Sequence, residues 1–147
     1  MLKAICITLA VVLGVAAIAN AIYMLAAPEA WYFAVPGVTT TGSFNQHFVR
    51  DIGLIFLFLG IAFLLGAAQP HLRVLSWAAS TIWLSGHALF HFWEVAVGIC
   101  AVSDLSRDFP AVTLPALLGA AITTWAIGQP ATDDVSRSAS RAGVRPR

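Results

Sequence analysis

Four long, mostly apolar runs follow one another along the chain, separated by polar or proline-containing stretches. The hydrocarbon core of a bilayer is about 30 Å thick, and a helix needs about 20 apolar residues to cross it. Proline cannot continue a helix, and prolines stand between the later runs. The pattern therefore predicts an all-α integral membrane four-helix bundle. The predicted spans are 4–27, 52–68, 74–98 and 111–127, within one transmembrane domain of residues 1–128.

The composition favours a membrane protein over a soluble fold. The chain of 147 residues is 59% hydrophobic and 10% charged, whereas soluble domains have about 25% charged residues. The lipid bilayer is therefore its first expected partner. After the fourth run the composition changes to Ser, Arg, Asp and Gly with few large apolar side chains. Residues 129–147 are predicted to form a disordered basic tail.

Basic residues are distributed unevenly between the two sides that the runs define. With the amino terminus inside, only Arg50 and Arg107 fall outside. Because positively charged segments tend to stay in the cytoplasm, both termini are predicted to be cytoplasmic. Nothing in this distribution resembles the basic surface of a nucleic-acid-binding protein, so no nucleic-acid partner is expected. The inside residues are Lys3, Arg73, Arg137, Arg141, Arg145 and Arg147.

The first run has a second interpretation. Lys3, the apolar residues after it and Ala19-Asn20-Ala21 resemble a signal peptide with a cleavage site. The apolar run continues to Ala27, however, and is long enough to span, which favours an uncleaved anchor. Cleavage would leave three spans in the same orientation.

The third run carries ionisable side chains on one face. Successive residues of an α-helix are rotated by about 100°, so His91 lies about 40° from His87 and Glu94 about 20° to the other side. Ser76 and Ser80 extend the same face. Ionisable groups in hydrocarbon are costly, so this face is expected to meet protein or water and to mark a functional site.

Polar side chains of the first two runs fall near the same depth. Counted from the outer end of the third run, Glu94, His91 and His87 lie about 6, 10 and 16 Å deep. The second run follows His47 and Asp51, which are four residues apart and share a helix face. The sequence thus predicts an outward-facing polar cavity. Its expected supporting residues are Asn20, Tyr23 and Arg50.

Imidazole and carboxylate groups together indicate a metal site. They are ligands of zinc, copper and non-haem iron, and histidines four residues apart on a helix can bind one ion. The leading hypothesis is therefore binding of a transition metal (Zn, Cu or Fe) or of a small ligand. The predicted metal ligands are His87, His91, Glu94, Asp51 and His47.

Two other interpretations stay open. In one, the polar face is the packing surface of a non-enzymatic scaffold or accessory subunit, with the histidines bonded to neighbouring helices. In the other, the histidine and acid side chains form a proton or redox relay. A membrane-protein partner or a homo-oligomer is compatible with each of them. No catalytic residue is assigned, and whether the protein is an enzyme stays open.

The start of the second run resembles a known family. Pro28-x-x-Trp31-Tyr32, followed by Phe-Val-Arg-Asp-Ile-Gly at 48–53, is similar to small four-helix bacterial membrane proteins of the DoxX-like type. The resemblance covers residues 10–127 and implies a four-helix bundle in a bacterial inner membrane. It implies no established activity. The His-x-x-x-His-x-x-Glu face is not part of it, so no functional residue is carried over.

Overall fold

The computed structural model describes residues 1–129, which contain six α-helices and no strand. Two 3-10 turns, Val38–Thr40 and Pro70–Leu72, precede the third and fourth of these helices. The all-α prediction is confirmed for this range, whereas the predicted disordered tail lies almost entirely outside it. The helices are α1 (Leu2–Ala26), α2 (Pro28–Ala34), α3 (Gln46–Ala68), α4 (Arg73–Ala96), α5 (Val102–Asp108) and α6 (Thr113–Ile127).

Two helices of residues 1–129 are each long and apolar enough to cross a membrane. They are α1 and α3, the first two predicted spans. Together, α5 and α6 pass the same test as one broken span that is bent by 57°. The 24-residue α4 is less apolar, because one of its faces carries ionisable and hydroxyl groups. By length and composition, two to three segments of the described chain could therefore cross a membrane, and their apolar surfaces suit contact with a lipid bilayer.

The four longer helices run antiparallel to their neighbours along the chain. α1 packs most extensively on α3, α3 packs on α4, α4 packs on α6, and α6 also touches α1. The turn Pro70–Leu72 marks one end of this arrangement, which we call the hairpin end. The opposite end carries α2, the connection 35–45 and α5, and we call it the loop end.

Glycines allow the closest helix contact, between α1 and α3. A Cβ atom at Gly60 would lie 2.6 Å from Ile18 Cγ1 and 2.7 Å from Gly14 O. Nearer the loop end, a Cβ atom at Gly53 would lie 3.0 Å from Met24 Cβ. Small residues let helix backbones approach closely in a membrane, where van der Waals packing drives association. The α1–α3 pair is therefore held by contact at the level of the backbone.

Side chains of α4 donate hydrogen bonds to backbone carbonyls of α3. Trp77 and Ser80 are 0% exposed, so the bonds that they donate lie in the core. On the other side of α4, the Thr81 and Thr123 hydroxyls are 3.1 Å apart and join α4 to α6. We call the three bonds to α3 the α4–α3 ladder. They run from Arg73 Nε to Gly66 O (3.0 Å), Trp77 Nε1 to Phe63 O (3.0 Å) and Ser80 Oγ to Leu59 O (3.2 Å).

Arg73 closes this ladder at the hairpin end. Its guanidinium carbon lies 5.5 Å from the ring centroid of Trp77 and 5.9 Å from that of Trp125. The carbonyls at the end of α3 carry the negative end of the helix dipole, and aromatic faces attract cations. Within residues 1–129, these groups stabilise the buried positive charge, and no carboxylate pairs with it.

Helix boundaries at the loop end differ from the predicted spans. α3 begins at Gln46 rather than at 52, because the Asn45 side chain accepts a hydrogen bond from Phe48 N at 3.1 Å and caps the helix. The short helices α2 and α5 form where connections were expected. The predicted span 52–68 is therefore the apolar part of a longer helix.

Gly60→Ala is expected to destabilise the protein, because the added methyl group would meet Gly14 O and Ile18. Overpacking of this kind costs about 1–3 kcal/mol. Thermal unfolding in a mild detergent should therefore show a lower midpoint. Gly86→Ala on α4 is the matched control, since its Cβ atom would meet open space and alanine favours a helix by about 1 kcal/mol. Equal midpoints for the two variants would contradict the close α1–α3 contact.

Candidate functional site

The polar face of α4 divides into two parts. In the hairpin-end part, its polar groups are bonded within the core through the α4–α3 ladder and the contact with α6. The loop-end part contains His87, His91 and Glu94, all of them partly exposed. The candidate site therefore lies in the part of the face that helix packing does not use.

Four aromatic rings contact one another in succession, from Phe56 on α3 to His91 on α4. Phe56 meets the edge of Trp83 with ring centroids 5.3 Å apart, and Trp83 stacks on His87 at 5.1 Å with 19° between the planes. His87 then contacts His91 edge to face, with centroids 4.8 Å apart. Among the described residues, no fully buried side-chain N or O atom lacks a hydrogen-bond partner. The ring nitrogens of His87 make no such bond there and are therefore not fully buried.

The carboxylate beside His91 comes from α5. Asp108 Oδ2 lies 3.4 Å from His91 Nδ1, and the Asp108 and His91 side chains are 16% and 23% exposed. Asp108 is the last residue of α5, at the bend between α5 and α6. A carboxylate next to one ring nitrogen favours a proton on that nitrogen. Asp108 therefore lies at the Nδ1 edge of the His91 ring, and Nε2 is not part of this contact.

Arg107 holds Asp108 through two parallel hydrogen bonds. Arg107 Nε donates to Asp108 Oδ1 at 2.7 Å and Nη2 donates to Oδ2 at 3.0 Å, while Nη1 donates to Asp104 Oδ1 at 2.9 Å. Bidentate pairs of this kind fix geometry as well as charge. Asp108 is therefore an oriented carboxylate.

Cys100 lies in the same negatively charged surroundings. Partial burial, followed by the carboxylates of Glu94 and Asp104, raises the pKa of its thiol. Because the thiolate is the nucleophilic form, the raised pKa makes the free thiol of Cys100 less reactive.

The structure brings together two of the predicted metal ligands, His87 and His91. Glu94 lies on the same helix one turn nearer the loop end. His47 and Asp51 pair with each other at 3.1 Å, at the start of α3, and are 88% and 54% exposed. No group of three or more His, Cys, Asp or Glu side chains within residues 1–129 is placed to hold a metal ion. The five-ligand metal set therefore stays a prediction.

The predicted supporting residues belong to the framework of the loop end. Asn20 Oδ1 accepts a hydrogen bond from Trp31 Nε1 at 2.9 Å. Arg50 Nε donates to Leu25 O at 3.2 Å, and Tyr23 is exposed. The two hydrogen bonds join α2 and α3 to the carboxyl-terminal part of α1.

Asp108 is the site residue that sequence reasoning missed. It lies in a seven-residue helix, which is too short to show a periodic pattern. The usable signal is an acidic residue directly before Phe109-Pro110, where an apolar run begins. Broken helices place functional groups at such positions in membrane proteins.

Comparison with known proteins gives no relative for this chain: no family model, no curated protein and no solved structure matches it. The resemblance to DoxX-like proteins therefore stays a prediction. The role of the histidines is inferred from the contacts described above.

Asp108→Asn is expected to change the tautomer of His91. The neutral amide attracts a proton to Nδ1 less strongly, so the fraction of His91 that carries its proton on Nε2 should rise. Nitrogen-15 NMR of histidine-labelled protein in detergent measures this fraction. Glu29→Gln is the control, because Glu29 is an exposed carboxylate on α2 and its loss should leave the fraction unchanged. A wild-type tautomer ratio in Asp108→Asn would show that Asp108 does not orient His91.

Proposed function

We propose that this chain is a multi-pass protein of the bacterial inner membrane, with α1, α3, α4 and the broken α5–α6 span as a four-helix bundle. α4 packs between α3 and α6. Its exposed face carries Leu75, Ile82 and Leu89, seven residues apart. A helix with this apolar stripe can face lipid while its polar face meets protein.

In this proposal both termini lie in the cytoplasm and the loop end faces outward. Lys3 and Arg73 lie at the hairpin end, which fits the tendency of basic residues to stay inside. The acidic residues of the described range all belong to elements at the loop end. They are Glu29, Asp51, Glu94, Asp104 and Asp108.

The proposed function is binding of a transition metal ion or a small ligand at His87 and His91 from the outer side. The observation that carries this proposal is the Asp108 carboxylate 3.4 Å from His91 Nδ1. Histidines that bind metals almost always donate their other ring N–H to a carboxylate, a carbonyl or water. His87 stacks on Trp83, and its ring, whose nitrogens are not fully buried, contacts the imidazole of His91.

The donor set determines which ions fit. Neutral imidazole nitrogen suits zinc, copper and iron. Two imidazoles are fewer than the three protein ligands of a typical catalytic zinc site. Water would complete the coordination, because no third His, Cys, Asp or Glu side chain of the described range is placed to join the two imidazoles. His47 and Asp51, an exposed pair at the start of α3, are not required for this two-histidine core.

A second candidate function is that of a non-enzymatic scaffold or accessory subunit. The α4–α3 ladder favours it, because the same polar face of α4 serves helix packing over its hairpin-end half. The two functions differ in what the loop-end half does. Under the scaffold proposal, His87 and His91 contribute to stability only.

A proton relay through the membrane is less well supported. Below His87, the hairpin-end half of the bundle is filled by the fully buried side chains of Trp77, Phe63 and Ile122. The polar groups of this half, which include Trp77 Nε1 and the Ser80, Thr81 and Thr123 hydroxyls, are bonded within the core. Indole and hydroxyl groups also lack the imidazole and carboxylate chemistry of proton relays.

His91→Ala is expected to abolish metal binding with the fold retained, because it removes the oriented imidazole. Protein purified in mild detergent should bind zinc or cobalt by metal analysis, and bound cobalt should give a visible spectrum. Asp108→Asn should lower affinity about 10- to 100-fold, as loss of an outer carboxylate does. His71→Ala, an exposed histidine at the hairpin end, is the control. Absence of metal from the loaded wild-type protein would exclude the metal proposal, and a purely thermal effect of His91→Ala would favour the scaffold.

The proposed topology predicts where a reporter is active. A reporter that works only in the cytoplasm, fused after Arg147, should be active, because an even number of crossings returns the chain to the inside. A periplasmic reporter in the same place should be silent. The opposite pair of results would place the histidines on the inner side.

A further inference from the structure

The backbone of the connection 35–45 contacts Arg107 at Gly37. Gly37 has a φ of 86°, in the left-handed region that favours glycine. A Cβ atom built on Gly37 would overlap the guanidinium group of Arg107, meeting Cζ, Nη2 and Nε. The backbone of the connection therefore lies directly against the same guanidinium that holds Asp108.

The connection is itself an organised element. Tyr32 at its start donates a hydrogen bond through its hydroxyl to Gly42 O and packs against Phe44 with ring centroids 5.4 Å apart. Trp31 ties the preceding helix α2 to Asn20 of α1. Contacts at both ends therefore brace the segment around Gly37, and displacement of this segment would be transmitted to Arg107.

A continuous series of contacts runs from this connection to the histidines. Gly37 packs on Arg107, Arg107 holds both oxygens of Asp108, and Asp108 Oδ2 lies 3.4 Å from His91 Nδ1. Asp108 Oδ2 is shared between Arg107 Nη2 and His91. Rotation of the guanidinium would therefore move the carboxylate relative to the imidazole.

We propose that Arg107 is a positioning residue for the Asp108–His91 pair. The contact of Gly37 with the guanidinium group, which we call the lock, keeps Arg107 in place. Packing of the connection 35–45 against α5 through this lock therefore sets the affinity of the histidine site for its ligand. The effect on affinity rests on the proposed function. The contact between the connection and α5 does not depend on that function. Asp104 serves this contact as the second anchor of Arg107.

Gly37→Ala tests the lock, and Gly98→Ala is its matched control. Both glycines have left-handed backbones, with φ of 86° and 79°, but a Cβ atom at Gly98 would meet nothing within 4 Å. Any general cost of alanine in this conformation is therefore shared by both variants. We expect faster amide hydrogen exchange in 35–45 and in 100–112 for Gly37→Ala than for Gly98→Ala. We also expect zinc affinity to fall about tenfold in Gly37→Ala, the lower range for loss of an outer carboxylate contact.

Arg107→Ala provides the second test. In this background the group that the new methyl would meet is absent, so Gly37→Ala should add nothing to exchange or to zinc affinity. Independent effects would instead add. Equal exchange in Gly37→Ala and Gly98→Ala, or additive effects with Arg107→Ala, would overturn the lock. Faster exchange confined to Gly37→Ala, in a protein that binds no zinc even as wild type, would support the lock and contradict only the metal function.

Discussion

The hydrogen bonds from α4 to the carbonyls of α3 are the interaction on which the site depends. They fix the rotation of α4 about its own axis, because three donors on one face must meet three acceptors on one partner helix. An unmade bond in this apolar core would leave a buried polar group at a cost of about 1–3 kcal/mol. With the rotation fixed at the hairpin end, His87 and His91 have a fixed direction at the loop end.

The bend between α5 and α6 positions the carboxylate of the site, whereas the α4–α3 ladder positions its imidazoles. α5 and α6 meet at an angle of 57°, and in a straight helix Asp108 would occupy a different position relative to α4. The bend instead leaves Asp108 against His91. The site thus joins one continuous helix, which carries the imidazoles, to one broken helix, which carries the carboxylate. Arg107 joins both to the connection 35–45.

The sequence predicts the parts of this structure that repeat with helix period. The burial of Ser76 and Ser80, and the shared face of His87 and His91, follow from rotation of about 100° per residue. Asp108 does not follow, because it reaches His91 through a turn whose direction is set by packing. The predicted depth in the membrane was also a weak guide to the neighbours of Asp51. Depth gives the position of a residue along the bundle axis but not its direction around the helix, and on α3 that direction leaves Asp51 exposed beside His47.

Charges along α4 and α5 are ordered by the cost of removing them from water. The Arg107–Asp104 ion pair lies at the loop end, where the two side chains are 30% and 23% exposed. His87, a group that can stay neutral, lies two turns deeper than Glu94 on α4, and the fully buried Ser80 offers only a hydroxyl. Since burial of an ion costs far more than burial of a bonded hydroxyl, this order leaves an imidazole as the deepest ionisable side chain of the loop-end part of α4. A cation entering from the loop end would pass the carboxylates before it reaches the histidines.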